Sequence, residues 1–318
     1  MKPERTEKNH NPKKNICSVC IATFKRPALL NELIQSLFEQ KNIEDIILEI
    51  VIVDNDSEKS AKEIVEKFSD TSSVKISYYT QPIQNISLTR NMALDKSTGQ
   101  YLAILDDDET ADKYWIRNLI DAIVKFDADA VFGYVIPVFD PTIPNWKRQR
   151  EIYFEPIGNT GDTPLSFPTT NCMIKSDKVN QFNLRFNPEY GLSGGEDQVF
   201  FRLLSTYDAK FVVCREAITY ETISANRSKL KSICKRATHQ GNAYGRIAIG
   251  SADYSLHENT FIFLLKSILG IGHYGLQSLF FLPFKSKWIF SLIRLYLNIG
   301  KLSSVFQIKL LLYKSPSS

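Results

Sequence analysis

The sequence predicts an α/β protein with a mostly parallel β-sheet flanked by helices. Two observations predict it. Apolar runs of strand length alternate with stretches of helical period through the first 140 residues, and a β-α-β-α order needs crossover connections. The run at 47–53 is almost continuously apolar, as expected for a strand covered on both faces. The chain has 318 residues, 43% hydrophobic and 23% charged, enough for one large domain or a domain with an extension.

The elements follow in order. Residues 16–22 read as a strand. Pro27 opens a helix over 28–40, where Leu29, Leu30, Leu33, Ile34 and Leu37 recur at helical spacing. Residues 47–53 are the second strand, 60–68 a helix and 74–79 a short strand. A helix at 87–96 ends near Gly99; then come a strand at 101–105, a helix at 115–126 and a strand at 130–138. Residues 140–167 are rich in Pro, Gly and aromatics and read as a long irregular connection of the kind that lines substrate sites. In such sheets ligands sit beyond the carboxyl ends of the strands, where Thr23, Asp54 and Asp106 all fall.

Asp106, Asp107, Asp108 and Glu109 close an apolar run. Four carboxylates at a strand end repel one another unless something neutralises them, and Mg²⁺ binds through one or two carboxylates plus a substrate's phosphates. The alternative is an acidic loop that caps the helix starting at Trp115. Further on, Gly191, Gly194 and Gly195 precede Glu196, Asp197 and a helix with an apolar face; here too, simple N-terminal capping is the alternative to chemistry. No Gly-x-Gly-x-x-Gly follows the first strand and no Walker-type Gly-Lys-Ser/Thr is present, which excludes the usual dinucleotide and P-loop sites. The five cysteines cannot all pair. Cys17 and Cys20 lie within a strand pattern with no second Cys-x-x-Cys, so they read as buried structural thiols rather than zinc ligands.

Charge is divided unevenly. Residues 222–318 hold thirteen Lys and Arg against Asp253 and Glu258, a net +11, leaving −7 for residues 1–221. The apolar stretches at 261–265, 279–282 and 288–293 are interrupted by Lys266, Lys285 and Arg294 before reaching the ~20 residues of a spanning helix. Basic residues among Phe, Leu and Trp suit helices lying in a membrane interface; packing against the main domain, or a dimer contact, is the alternative. The aliphatic tail and acidic front argue against nucleic acid. Residues 1–14 are polar and read as a disordered tail, not a leader, so the expected location is the cytoplasmic face of the inner or plasma membrane, peripheral or monotopic. The expected divisions are 1–14, a main domain at 15–250 and a helical basic and apolar extension at 251–318.

Taken together, five pieces in order resemble the family 2 glycosyltransferases of the GT-A fold over about residues 16–250. They are Cys20 to Pro27, Ile52 to Ser57, Asn85 to Asn91, Leu105 to Glu109, and Gly194 to Asp197. Tyr220-Glu221, Asn226-Arg227 and the stretch Lys235 to Asn242 are similar to bacterial members that build exopolysaccharides, the succinoglycan-type glucosyltransferases. The resemblance implies a GT-A sheet, a nucleotide-sugar donor and a divalent metal, Mn²⁺ or Mg²⁺. It puts Thr23 and Arg26 near the nucleotide diphosphate, Asp54 on the base or ribose, and Arg90 and Asn91 on nucleotide and sugar. Asp106 and Asp108 form an Asp-x-Asp, with Asp108 the direct metal ligand and Asp106 a ribose or water-mediated contact. Asp197 would be the general base of an inverting transfer, with Glu196 and Gly195 on the acceptor side. Where some relatives place a metal-binding His, this chain has Glu221; His239 reads as a surface or phosphate-contacting residue. The expected product is a surface polysaccharide, lipopolysaccharide or lipid-linked oligosaccharide, with UDP as the nucleotide. The rivals are a sugar-phosphate nucleotidyltransferase, disfavoured because the loop after the first strand lacks glycines, and an inactive membrane-anchored scaffold.

Overall fold

The computed structural model describes residues 15–250 and 258–312; the expected tail at 1–14 lies outside the described residues. β1 (Asn15–Thr23) leads through α1 (Pro27–Phe38) to β2 (Ile46–Asp54), then α2 (Lys62–Thr71) and β3 (Lys75–Thr80). α3 (Ile86–Lys96) carries the chain back to β4 (Tyr101–Asp106), on the other side of β1. There follow β5 (Glu109–Ala111), α4 (Trp115–Phe126), β6 (Ala130–Phe139), β7 (Cys172–Lys175), α5 (Ser176–Gln181), α6 (Glu196–Ser205) and β8 (Phe211–Ile223). α7 (Leu230–Gly250), α8 (Thr260–Phe280) and α9 (Lys285–Val305) complete the chain.

Among the described residues, eight strands lie in the order β3-β2-β1-β4-β7-β6-β8-β5. β3, β2, β1 and β4 are mutually parallel, as is β6 with β8. β7 runs antiparallel to both its neighbours and β5 antiparallel to β8, so the sheet is mixed. The reason is the connection: β7 is reached from β6 through the irregular stretch after Asp140, not through a crossover helix. β5, β7 and β8 were not among the predicted strands. The first two span only three and four residues, too short for alternation to show.

Side-chain alternation sorts the core onto two faces. Val19 and Ile21 of β1, Ile50 and Ile52 of β2, and Ala103 and Leu105 of β4 pack with α1, α2 and α4. Cys20, Val51, Val53, Leu102 and Ile104 point the other way, against α3, α5 and α6. All five cysteines are free and buried, as structural thiols are; burial pushes the Cys20 thiol up to about 12.

The chain leaves β1 towards β2 on one side, and β4 lies on the other, so a crevice opens between their carboxyl ends. The pairing of Ala22 with Asp106 and of Thr23 with Asp54 puts three strand ends level at its floor. A second wall comes from the C-terminal helices. α7 and α9 pack so closely that a Cβ added at Gly241 would overlap the Leu297 carbonyl, and one at Gly300 the Thr238 carbonyl. α8 folds back antiparallel on α9, with Ser291 donating to Gln277 at 3.1 Å. Helices on either side of residue 250 therefore form one layer. Gly300→Val should destabilise the protein by about 1–3 kcal/mol, the usual effect of overpacking. Thermal unfolding with limited proteolysis should show both a lower melting point and earlier cleavage in α8–α9; an unchanged melting point would contradict the close crossing.

Candidate active site

The crevice has a volume of about 1030 Å³ and is walled by strand ends, the 150–170 stretch, α6, α7 and α9. The acidic run does not act as one cluster. Asp107 also borders the crevice but is only 5% exposed, its carboxylate taken up by Thr23 Oγ1, which donates at 2.8 Å, and by Arg26 at 3.0 Å. Burial pushes Asp107 up to about 6 against the pull of Arg26 and Thr23. Glu109 is fully buried, accepts from Thr219 Oγ1 at 3.0 Å and the Asp106 amide at 3.3 Å, and is held well above the carboxylate range by burial and by Asp106. Asp106 and Asp108 alternate with them and line the crevice.

Asp108 pairs with Arg26 at 3.0 Å and lies 4.0 Å from Arg227, which also pairs with Glu221. Burial pushes Glu221 up to about 7, with Arg227 opposing and Asp108 adding to the rise. Asp108 is raised by burial and by Asp106. Among the described residues no three His, Cys, Asp or Glu side chains converge on a single metal position. The donor set is nonetheless of hard oxygens whose mutual repulsion a cation would relieve. It fits a divalent ion held by one or two carboxylates with the rest of its shell from a substrate.

On the facing wall, Gly194 and Gly195 have φ of 79° and 94°, a left-handed pair that only glycine adopts at little cost, and this turn starts α6. Neither acidic residue is the N-cap, which is Gly195 itself; Glu196 and Asp197 occupy the first helical turn. Glu196 accepts from Arg90 at 2.6 Å, and Arg90 also reaches Asp106 at 2.9 Å. Asp197 lines the crevice and accepts from the Gln198 amide at 2.7 Å. Burial, then the adjacent Glu196, push it up to about 7 despite Arg90. A carboxylate so tuned can exchange a proton at neutral pH.

Thr23, Arg26, Arg90, Asp106, Asp108, Gly195, Glu196 and Asp197 thus meet in one crevice. Two expected residues do not. Asp54 is fully buried: Oδ1 accepts from the Asp56 amide at 2.9 Å, and Oδ2 from the Ala61 amide and Tyr78 hydroxyl, both at 2.9 Å. Its oxygens cap the loop after β2, and Asn55 rather than Asp54 lines the crevice. Asn91 binds the Phe186 backbone at both ends, at 2.8 and 2.7 Å, and is a positioning residue for the floor. His239 is also corrected: it is 8% exposed and lines the crevice rather than the surface, because α7 is covered by α9. Arg227, Arg236, Arg294 and Lys301 join the walls; the first two lie in the stretches similar to the exopolysaccharide-building members, and only the basic composition of the C-terminal region hinted at the other two.

The profile of glycosyl transferase family 2 matches residues 18–182, over half the chain. The chain belongs to glycosyl transferase family 2. It is 33% identical over 228 residues to the succinoglycan biosynthesis protein ExoM of Rhizobium meliloti, covering 71% of this chain and 73% of that protein. It is 31% identical to a glucosyl-dolichyl phosphate glucuronosyltransferase of Haloferax volcanii, over 43% of this chain and 40% of the relative. Among solved structures, the mannosyltransferase PcManGT of Pyrobaculum calidifontis, in complex with GDP-Man and Mn²⁺, superposes with a TM-score of 0.65 at 14% identity, over 93% of this chain and 88% of that one. TarS residues 1–349 of S. aureus, in complex with UDP-GlcNAc, gives 0.53 at 16% identity, over 91% of each chain. The family makes this an enzyme of the glycosyltransferase class, and the fold neighbours share its sheet.

In this family 2 chain the two acidic neighbours at the start of α6 are electrostatically linked. Glu196→Gln should lower the Asp197 pKa, since it removes a like charge and leaves Arg90 nearer to unshared. Carboxyl-carbon NMR titration should place the wild-type midpoint near 7 and the variant's below it; equal midpoints would show that Glu196 exerts no such effect.

Proposed function

We propose that the protein is a metal-dependent inverting glycosyltransferase that moves a sugar from a nucleotide sugar, UDP-linked in the first instance, to a hydroxyl of a growing surface polysaccharide, lipopolysaccharide or lipid-linked oligosaccharide. One observation carries the reading. A single crevice at the switch point of the sheet faces the carboxylates Asp106 and Asp108 with Asp197, whose proton affinity is tuned to neutrality. The printed ligands of the two solved relatives, GDP-Man with Mn²⁺ and UDP-GlcNAc, support a nucleotide-sugar donor, and the ExoM likeness supports a polysaccharide product.

Asp108, with Asp106 beside it, would hold the divalent ion, and Glu221, which feels both charges and lines the crevice, is a further carboxylate on the same wall. When bound, the ion supplies positive charge to the diphosphate as the leaving group departs. The chain's own groups do the rest. Arg26 and Arg227 add charge beside the diphosphate position. Arg90 keeps Asp106 and Glu196 in fixed relation. Asp197 takes the proton from the acceptor hydroxyl as its oxygen attacks the anomeric carbon, which inverts that centre. Glu196, whose Oε2 is buried without a hydrogen-bond partner among the described residues, is positioned to accept from an acceptor or donor hydroxyl.

The membrane reading rests on α8. Ile262, Leu265, Leu269, Leu276 and Phe280 lie on it at helical spacing, and Leu269, Leu276 and Phe280 are 72, 72 and 74% exposed. No acidic residue follows Glu258, while Lys266, Lys285 and Lys287 flank the apolar face. Among the described residues no helix is long and apolar enough to cross a membrane. A hairpin lying on an anionic surface at the cytoplasmic face fits this pattern.

Three measurements test these readings. UDP with Mn²⁺ should raise the melting temperature, and Asp108→Ala should abolish the shift. Asp197→Asn should keep the shift yet lose transfer by about 10²–10⁴-fold, the usual contribution of a general base. A shift with GDP alone changes the donor; no shift with any nucleoside diphosphate overturns the enzyme mechanism. Separately, the protein should co-sediment with phosphatidylglycerol vesicles at low salt, and Leu269→Glu with Leu276→Glu should reduce binding at least about tenfold. Undiminished binding by that double variant would sink the α8 surface.

A further inference from the structure

We propose that the part of the crevice between α6, α7 and α9 is an anion subsite, where Arg202, Arg294 and Lys301 hold a phosphate or diphosphate group carried by the acceptor. The inference rests on the glycosyltransferase reading and gives the acceptor a chemical class.

The cations on the crevice wall differ in their partners. Arg26, Arg90 and Arg227 are each paired with carboxylates. Arg150 donates to the Val135 and Glu155 carbonyls and lies over Tyr134 and Phe154, and Arg236, also without a carboxylate partner among the described residues, donates to the Ile152 carbonyl and lies over Tyr153. Arg202, Arg294 and Lys301 line the same crevice, yet none has a carboxylate within 4.0 Å among the described residues. The acids that face them act from farther away: Glu155 on Arg294, and Glu258 on Lys301, with Glu258 already paired to Lys266 at 3.0 Å.

These groups form a contiguous surface. Arg294 and Lys301 stand two turns apart on one face of α9, with Leu297 between them, and all three line the crevice. Lys301 Nζ lies 4.8 Å from the centre of the Tyr244 ring on α7, and Tyr244 in turn interacts with Arg202 of α6. Glu155 links the cluster to the reacting centre, since it acts on both Arg294 and Asp197. The cluster therefore adjoins Asp197 through α6 and Glu155, while Asp108 has its own cations in Arg26 and Arg227.

Several polar atoms of this wall lack partners among the described residues, Arg236 Nη1 of α7 and Glu196 Oε2 of α6 among them. Arg202 Nε and His239 Nδ1 are both buried without a hydrogen bond among the described residues, and His239 as a whole is 8% exposed. Burial also holds Arg202 and Lys301 below their ordinary pKa. A fold that buries cations and donors without partners is stabilised when a ligand supplies the anion. Arginine forks bind phosphate oxygens in pairs and lysine adds a point charge. Three cations spread over about 10 Å of helix suit a phosphate or diphosphate better than one carboxylate.

Isothermal titration of the full chain with inorganic pyrophosphate in EDTA tests this with the metal position silent. Wild type should bind, and Arg294→Gln/Lys301→Gln should bind at least tenfold more weakly. UDP affinity with Mn²⁺ should change less than twofold, which also verifies folding. Farnesyl diphosphate separates the sources of the phosphate. Binding at least tenfold tighter than pyrophosphate supports the subsite with a lipid carrier, and equal binding supports it with a phosphate on the saccharide. Absent pyrophosphate binding, or binding undiminished in the double variant, overturns the subsite while intact UDP binding leaves the enzyme reading standing. Parallel loss of pyrophosphate and UDP affinity also overturns it, because the cations then serve the donor. If wild type binds neither nucleotide nor pyrophosphate, both readings fall.

Discussion

The geometry of the crevice depends on Arg90. Its guanidinium is 7% exposed and joins Asp106, at the end of β4, to Glu196, at the start of α6. Asp108 lies two residues beyond one partner and Asp197 one residue beyond the other. A single side chain thus sets the spacing between the carboxylates that face the diphosphate and the one that faces the acceptor. Its surroundings hold it still. The ring of Phe186 lies 5.8 Å away, stacks on Phe200 at 4.3 Å, and has its backbone held by Asn91. Breaking such a buried pair leaves an uncompensated charge and typically costs about 3–5 kcal/mol.

The second constraint is the close approach of α7 and α9 through Gly241 and Gly300. It brings Arg294 and Lys301 into the crevice and presents the opposite side of α9 to α8. The last described residues extend the same wall. Leu312 donates to the Leu192 carbonyl at 2.8 Å, and Lys309 to the Glu189 carbonyl at 2.6 Å. The C-terminal segment is therefore fastened to the loop that presents Glu196 and Asp197. A region that reads from composition as a membrane-facing appendage also completes the crevice.

The acidic run shows how far residue order carries an argument and where it stops. Its position at a strand end was legible, because an apolar run followed by carboxylates at a strand's carboxyl end has few uses in an α/β sheet. The resemblance singled out Asp106 and Asp108 within it, but the partners of the other two were not legible. Asp107 and Glu109 serve Thr23, Arg26 and Thr219, residues 81 to 110 positions away, and nothing local marks them as structural. Asp54 shows the same limit in a loop. Its motif suggested a ligand contact, but Ala61 and Tyr78 take its oxygens. β8 escaped notice because its burial is interrupted at Arg215 and Glu216.

The sequence by itself determined the α/β class, the parallel half of the sheet, the carboxyl-end location of the site and the family, since local periodicity and ordered short motifs encode these. Tertiary structure alone decided how the carboxylates of the acidic run are partnered, that β7 runs antiparallel, and that α9 walls a site whose motifs end some fifty residues earlier. The physical reason is the same in each case. Charge pairing, desolvation and helix packing depend on groups brought together across the chain, and their partners are not written in any local pattern.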